Sequence, residues 1–223
     1  MERIHGQITD IGTDGYITIR AALPNIDRAL LRQYKDVEIL LDDGRTITVD
    51  QRKKLFALFN EISEATGYMP VEAIKEMTKV FFMARQPIPV HFSLSNTDVT
   101  TAREFISCVI DFIIEYGIPV KTPLIDLCED ISRYVYSCIC SKRCCVCGAS
   151  QVDLHHVEAI GMGRDRTEVL QIGIPILSLC REHHTESHKI GQQTFLAKHH
   201  LQTIKLTKEI GKIYNLTKAN LGG

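Results

Sequence analysis

Residues 144–188 read CCVCGASQVDLHHVEAIGMGRDRTEVLQIGIPILSLCREHHTESH. The stretch holds four of the chain's eight cysteines and five of its nine histidines. Cys144 and Cys147 are separated by two residues and Gly148 follows, a pattern for a tight turn that aims two thiolates at one point. Cys180 and His183 repeat the same gap, giving C-x2-C-x32-C-x2-H. Four such soft donors suit a closed, tetrahedral structural zinc. Cys145 is spare, because the C-x2-C pair already supplies both thiolates. A pair of buried thiols beside a surface histidine is the plainer reading, and the matching gaps at both ends argue against it.

The other histidines need a separate account. From Arg181 to about Gly191 the chain reads as a helix. His184 and His188, four residues apart, then lie on one face about 40° apart, while His183 is turned roughly 100° from His184, toward Cys180. His183 can serve the zinc while His184 and His188 open a second site. Their partner is the pair His155-His156 in the strand-like run VDLHHVEAI. Successive residues of a strand point to opposite sides. One of the two can therefore hold a metal while the other is free to take a proton. A structural zinc needs four donors, and these histidines exceed that number; solvent-facing or core histidines are the alternative.

Composition sets the bounds. With 223 residues, 44% of them hydrophobic, the chain can bury a core and divide into two domains. It has no run of 18 apolar residues, so no membrane partner is expected, and MERIHGQITDIGTDG lacks the apolar centre of a signal peptide. A cytoplasmic setting follows, where a CxxC pair binds metal or does redox chemistry rather than forming a structural disulfide. Cys108, Cys128, Cys138 and Cys140 lie in apolar helical patterns and read as small buried hydrophobes. Net charge is −1, but residues 141–223 carry 11 lysines and arginines against 7 acidic residues, whereas residues 1–140 carry 15 against 20. The mild basic bias of the second part suits a polyanionic partner.

Along the chain, alternating runs marked by Ile4 and Ile8, then Ile17 and Ile19, flank ThrAspGly at 13–15 and predict a hairpin. Asn25 caps a short helix over 26–34. Val37–Leu41 and Thr46–Val49 flank AspAspGly as a second hairpin. Asp50 caps a helix burying Leu55, Leu58, Phe59 and Ile62 and ending at Gly67. Pro70 opens the next, with Ile74, Met77, Val80 and Phe81 inward. Thr101 and Glu104 fit a capping box for a helix burying Phe105, Ile106, Val109, Ile110, Ile113 and Ile114. A further helix, Leu124–Cys138, runs into the metal stretch, and residues 192–221 are mixed helical, with His199-His200 a solvated pair. The expected class is α+β: an N-terminal α+β domain over residues 1–120, then residues 121–223 with a metal core at 144–191.

The segments CVCG (145–148), DLHHVEAIGMGRDR (153–166) and LCREHHTESHKIG (179–191) resemble the HNH endonuclease motif, a hairpin plus helix (ββα-metal) on a treble-clef zinc scaffold with flanking helices. They are similar to phage-encoded HNH nucleases related to the Rap/NinG recombination endonucleases of lambdoid phages. Upstream, DDGRTITVDQRKKLFALFNEI and FSLSNTDVTTAREFISCVIDFIIEYGIPV look like the NinB/Orf type of phage recombination protein, which binds single-stranded DNA. The resemblance implies His155, His184 and His188 as ligands of a catalytic metal and His156 as general base. It also implies an Asn a few positions before the second zinc pair. That window holds Ile174, Pro175 and Ile176, and no Asn lies between Asn96 and Asn215. The contact that normally orients the base histidine must come from elsewhere.

The expected activity is metal-dependent hydrolysis of DNA phosphodiesters, with His156 activating water and Arg164 and Arg166 placed to clamp a phosphate. An all-imidazole site accepts Zn2+, Ni2+, Mn2+ or Mg2+. Branched or single-stranded DNA is the expected substrate, a homodimer suits paired cuts, and a phage-encoded chain would work in the host cytoplasm. Two other readings stay open. One is a non-catalytic zinc-containing DNA-binding recombination mediator; the other is a protein-interaction treble clef.

Overall fold

The computed structural model describes residues 6–23, 25–33, 39, 44–86, 91–157 and 169–222. Its described residues form α-helices and two small antiparallel sheets, an α+β architecture. None of the described helices is long and apolar enough to cross a membrane. By contacts the chain divides before residue 44, and from Gly44 onward it is one compact unit. The expected junction at residue 120 falls inside that unit, where one continuous set of buried side chains runs from Ile47 to Ile210.

The first unit carries the hairpin of β1 (Gly6–Ile11) and β2 (Ile17–Ala21), with Ile8 opposite Ile19. Gly15, at φ +88°, takes the left-handed backbone that the turn requires. α1 (Ile26–Arg32) follows, capped by Asn25, whose Oδ1 accepts from the Arg28 N–H at 3.0 Å. The first arm of the second hairpin, Val37–Leu41, lies outside the described residues apart from Ile39. Its other arm is not a strand. Thr46 makes a single bridge to Asp98, and Val49 already begins α2 (Val49–Ala65).

Three helices, α2, α3 (Val71–Ala84) and α4 (Val99–Tyr116), pack on one another. Leu55, Leu58, Phe59 and Ile62 of α2 are fully buried, as the helical spacing requires. The cap of α2 is Thr48, not Asp50. Thr48 Oγ1 accepts from the Gln51 N–H and Gln51 Oε1 from the Thr48 N–H, both at 3.1 Å, so two orphan donors are satisfied reciprocally. Asp98 likewise starts α4 ahead of Thr101, accepting the Thr101 N–H at 2.8 Å. On α3 the inward residues are Ile74, Thr78 and Phe82, and Val80 is 61% exposed. Of the residues expected inward, Ile74 is buried and Phe81 packs half-buried on the core, whereas Met77 and Val80 are exposed; Thr78 is buried instead, its hydroxyl donating to the Ile74 carbonyl at 2.9 Å. Phe105 is the hub, with the rings of Phe59, Phe82 and Phe92 at 6.3, 5.5 and 5.1 Å.

After Gly117, which ends α4 at φ +61°, the chain does not form the single helix expected over Leu124–Cys138. A 3-10 turn (Leu124–Leu127) comes first, and Asp130 then caps α5 (Ile131–Cys140) by accepting the Arg133 N–H at 2.9 Å. α5 packs against α4 and against β4 (Pro175–Cys180), the centre of a sheet ordered β3 (Val152–His156), β4, β5 (Ile204–Lys205). β5 is too short to show an alternating pattern in the sequence. α6 (Arg181–Ile190) leaves β4 without a linker, then come α7 (Gln192–Lys198) and α8 (Lys208–Ile213). α6 packs on β3 and β4, so strands and helix meet at one end of the stretch quoted above.

Truncating the aromatic hub tests the helical layer. Phe105→Ala should lower the unfolding free energy by about 3–5 kcal/mol, the usual cost of removing a buried ring. Denaturant titration checks it, and an unchanged midpoint would show that the cluster does not carry the layer.

Candidate metal centres

The first donor set is built by two turns. Cys144 follows α5, and its carbonyl accepts from the Gly148 N–H at 2.9 Å while its own N–H reaches the Ala149 carbonyl at 2.9 Å. Gly148 sits at φ +73°, a conformation that costs a residue without Cβ little. The turn folds Cys147 back beside Cys144. Cys180 is both the last residue of β4 and the residue preceding α6, so His183 lies in the first helical turn beside it. The donor atoms of Cys144, Cys147, Cys180 and His183 all lie within 4.8 Å of one another.

Distances within the set have the dimensions of a coordination shell. Cys147 Sγ lies 3.8 Å from Cys180 Sγ, and Cys144 Sγ lies 3.6 Å from His183 Nδ1. A tetrahedron with Zn–S near 2.3 Å and Zn–N near 2.0–2.1 Å has edges of about 3.8 and 3.5 Å. The Cys180 Sγ to His183 Nδ1 edge is shorter, 3.1 Å. Burial pushes the Cys144 thiol up to about 12. Burial also opposes the Cys180 thiolate, but the His183 N–H, the His183 ring and the neighbouring thiols outweigh it and bring Cys180 down to about 7. Cys145 stands apart, buried with its Sγ 3.3 Å from Ser178 Oγ.

The second set is His155, His184 and His188, whose ring nitrogens also lie within 4.8 Å of one another. His155 is on β3, opposite Leu177, and only 1% exposed. His184 and His188 share a face of α6, with their Nε2 atoms 3.3 Å apart. Two imidazoles on one ion at 2.0–2.1 Å have a tetrahedral edge of about 3.4 Å. The His155 ring is 4.7 and 5.3 Å from the other two. Asp153 Oδ2 lies 3.8 Å from His184 Nδ1 and 3.4 Å from Arg181 Nη2. Burial holds the His155 imidazole down at about 4, and His184 is also lowered, by burial and by His188. Both rings are thus kept in the neutral form that a metal binds.

Two contacts were not expected from the sequence. Gln192 places its amide oxygen and nitrogen 3.1 and 2.9 Å from His155 Nε2, and Ser187 Oγ lies 3.4 Å from the same atom. The four-residue spacing of His184, His188 and Gln192 was the available signal. His156 follows His155 on β3, pairs with Ile176 and is half-buried. In the window expected to hold Asn, the Pro175 carbonyl accepts the Val157 N–H at 3.0 Å and ties down the end of β3. Arg164 and Arg166 lie outside the described residues. His199, expected to be solvated, is instead half-buried. It lies 3.1 Å from Glu186 Oε2, with its ring edge-on to His183 at 5.6 Å.

Comparison with known proteins gives one result for the chain as a whole. A family model described as "Putative HNHc nuclease" matches residues 25–217. No curated protein and no solved structure matches.

Two outcomes are expected. If the first set holds zinc, Cys147→Ala should lose it and with it the packing of β3, β4 and α6, read by metal analysis and near-ultraviolet dichroism; retained zinc would refute the ligand set. For His155, folded and unfolded chains are both neutral above pH 6.5. As pH falls from 6.5 toward about 4, the unfolded chain takes up a proton that the folded one refuses, so stability is full above 6.5 and is lost through that window. Urea midpoints of wild type and His155→Asn, compared at equal zinc content, should show the steeper decline in wild type. Equal slopes would contradict it.

Proposed function

Because the chain belongs to the HNHc nuclease family, we propose that it is a metal-dependent endonuclease hydrolysing DNA phosphodiester bonds. The observation that carries this reading is the presence of two separate donor sets, one of three cysteines and a histidine and one of three histidines. A single structural ion uses only the first. On this reading Cys144, Cys147, Cys180 and His183 hold a structural zinc in a treble-clef frame, and His155, His184 and His188 hold a divalent ion, Mg2+, Mn2+, Ni2+ or Zn2+. That ion supplies charge neutralisation at the phosphate and its leaving oxygen. His156 takes the proton from the attacking water. It neighbours His155 on β3 but points to the other side of the strand, so it is not consumed as a ligand. Arg164 and Arg166, on sequence grounds, contact the phosphate.

The finer assignments rest on the phage-nuclease resemblance. Branched recombination or replication intermediates are the proposed substrates, residues 1–120 would hold DNA in the manner of the NinB/Orf proteins, and a homodimer would supply paired cuts. The chemistry of His156 is tested directly. His156→Ala should keep the fold and both metals while cleavage falls by about 10²–10⁴-fold, the usual share of a general base. The assay is a panel of linear, nicked, flapped and four-way DNA with each divalent ion in turn. Wild-type cutting by the variant would remove His156 from the mechanism. An intact panel with wild-type protein, and one bound ion per chain, would favour a zinc-containing DNA-binding mediator instead.

A further inference from the structure

We propose that Gln192 is a positioning residue of the three-histidine centre: its side-chain amide holds His155 through Nε2 and so assigns Nδ1 to the metal. The inference rests on reading His155, His184 and His188 as ligands. His155 is 1% exposed, so its two ring nitrogens must find their partners inside the protein. Nε2 has them in Gln192, at 2.9–3.1 Å, and in the Ser187 hydroxyl at 3.4 Å. That leaves Nδ1 as the nitrogen of His155 available to an ion. A neutral imidazole carries one proton, and a coordinating Nδ1 cannot be the one that bears it. The proton must then sit on Nε2, where it needs an acceptor, and the Gln192 amide oxygen supplies it.

The amide suits this role better than a hydroxyl or a water would. Its oxygen and nitrogen both lie within hydrogen-bond reach of the same ring atom. It can therefore donate to Nε2 when no ion is bound and turn over to accept from it when one is. The residue is also placed to report on α6. His188 lies near the end of that helix, Gly191 interrupts the chain at φ +84°, and Gln192 begins α7. Gln192 thus fastens the start of α7 to the ring that faces His184 and His188. Outer partners of this kind fix a ligand's tautomer and orientation, and their loss typically weakens metal binding by 10–100-fold.

The test uses the full chain with its zinc in place and Co2+ as the probe, titrated by calorimetry and followed by its visible d–d absorption. Wild type should bind one Co2+ per chain beyond the zinc. Gln192→Leu, which has no acceptor, should bind it about 10–100-fold more weakly with an altered d–d spectrum. Gln192→Glu, whose carboxylate accepts but cannot donate, should rescue both the affinity and the spectrum. Zinc content and thermal midpoint should be the same in all three, which separates positioning from packing. Equal Co2+ affinity in Gln192→Leu would overturn the proposal. So would a Gln192→Glu variant as weak as the leucine one, because the amide would then act as a donor. If wild type itself takes up no Co2+ beyond the zinc, the three-histidine centre fails, and Gln192 with it.

Discussion

Four side chains from the described parts of 144–191 meet at one point. Cys144 and Cys147 come from a glycine-ended turn, and Cys180 and His183 come from the junction of β4 and α6. Residues 148–179 lie between them in sequence and contribute both strands β3 and β4. In small zinc modules an ion at such a junction is worth on the order of 10 kcal/mol of folding free energy. That is comparable to the whole net stability of an ordinary domain, about 5–15 kcal/mol.

Burial acts on the two donor sets in opposite senses. It favours the neutral form of any titratable group. For a thiol the neutral form does not ligate, and Cys144 is pushed up to about 12. For an imidazole the neutral form is the ligand, and His155 is held down at about 4. An ion reaching Cys144 has to displace its proton, whereas His155 and His184 are already favoured in the neutral form. The same low-polarity surroundings thus set opposite proton requirements at Cys144 and at His155.

Much of this was legible from residue spacing alone. The i, i+3 spacings at 144–147 and 180–183 and the i, i+4 spacing at 184–188 survive folding because each is a local fact about a turn or a helix. The adjacent His155 and His156 are likewise sorted by strand alternation. The helix starts were less legible, since Thr48 and Asp98 compete with Asp50 and Thr101 and only the full hydrogen-bond pattern decides. The contacts of Gln192 with His155, of Asp153 with His184 and of His199 with Glu186 were not legible, because they come from which elements pack together. β5 escaped because two residues carry no period.

His183 and His184 are successive residues of the same helical turn, yet each belongs to a different donor set. Whatever orders that turn for one ion spares the other the same loss of freedom. The coupling must be mutual: if zinc tightens the second ion, the second ion tightens zinc by an equal factor. On the two-ion proposal, a chelator that draws off one ion would loosen the other by the same factor.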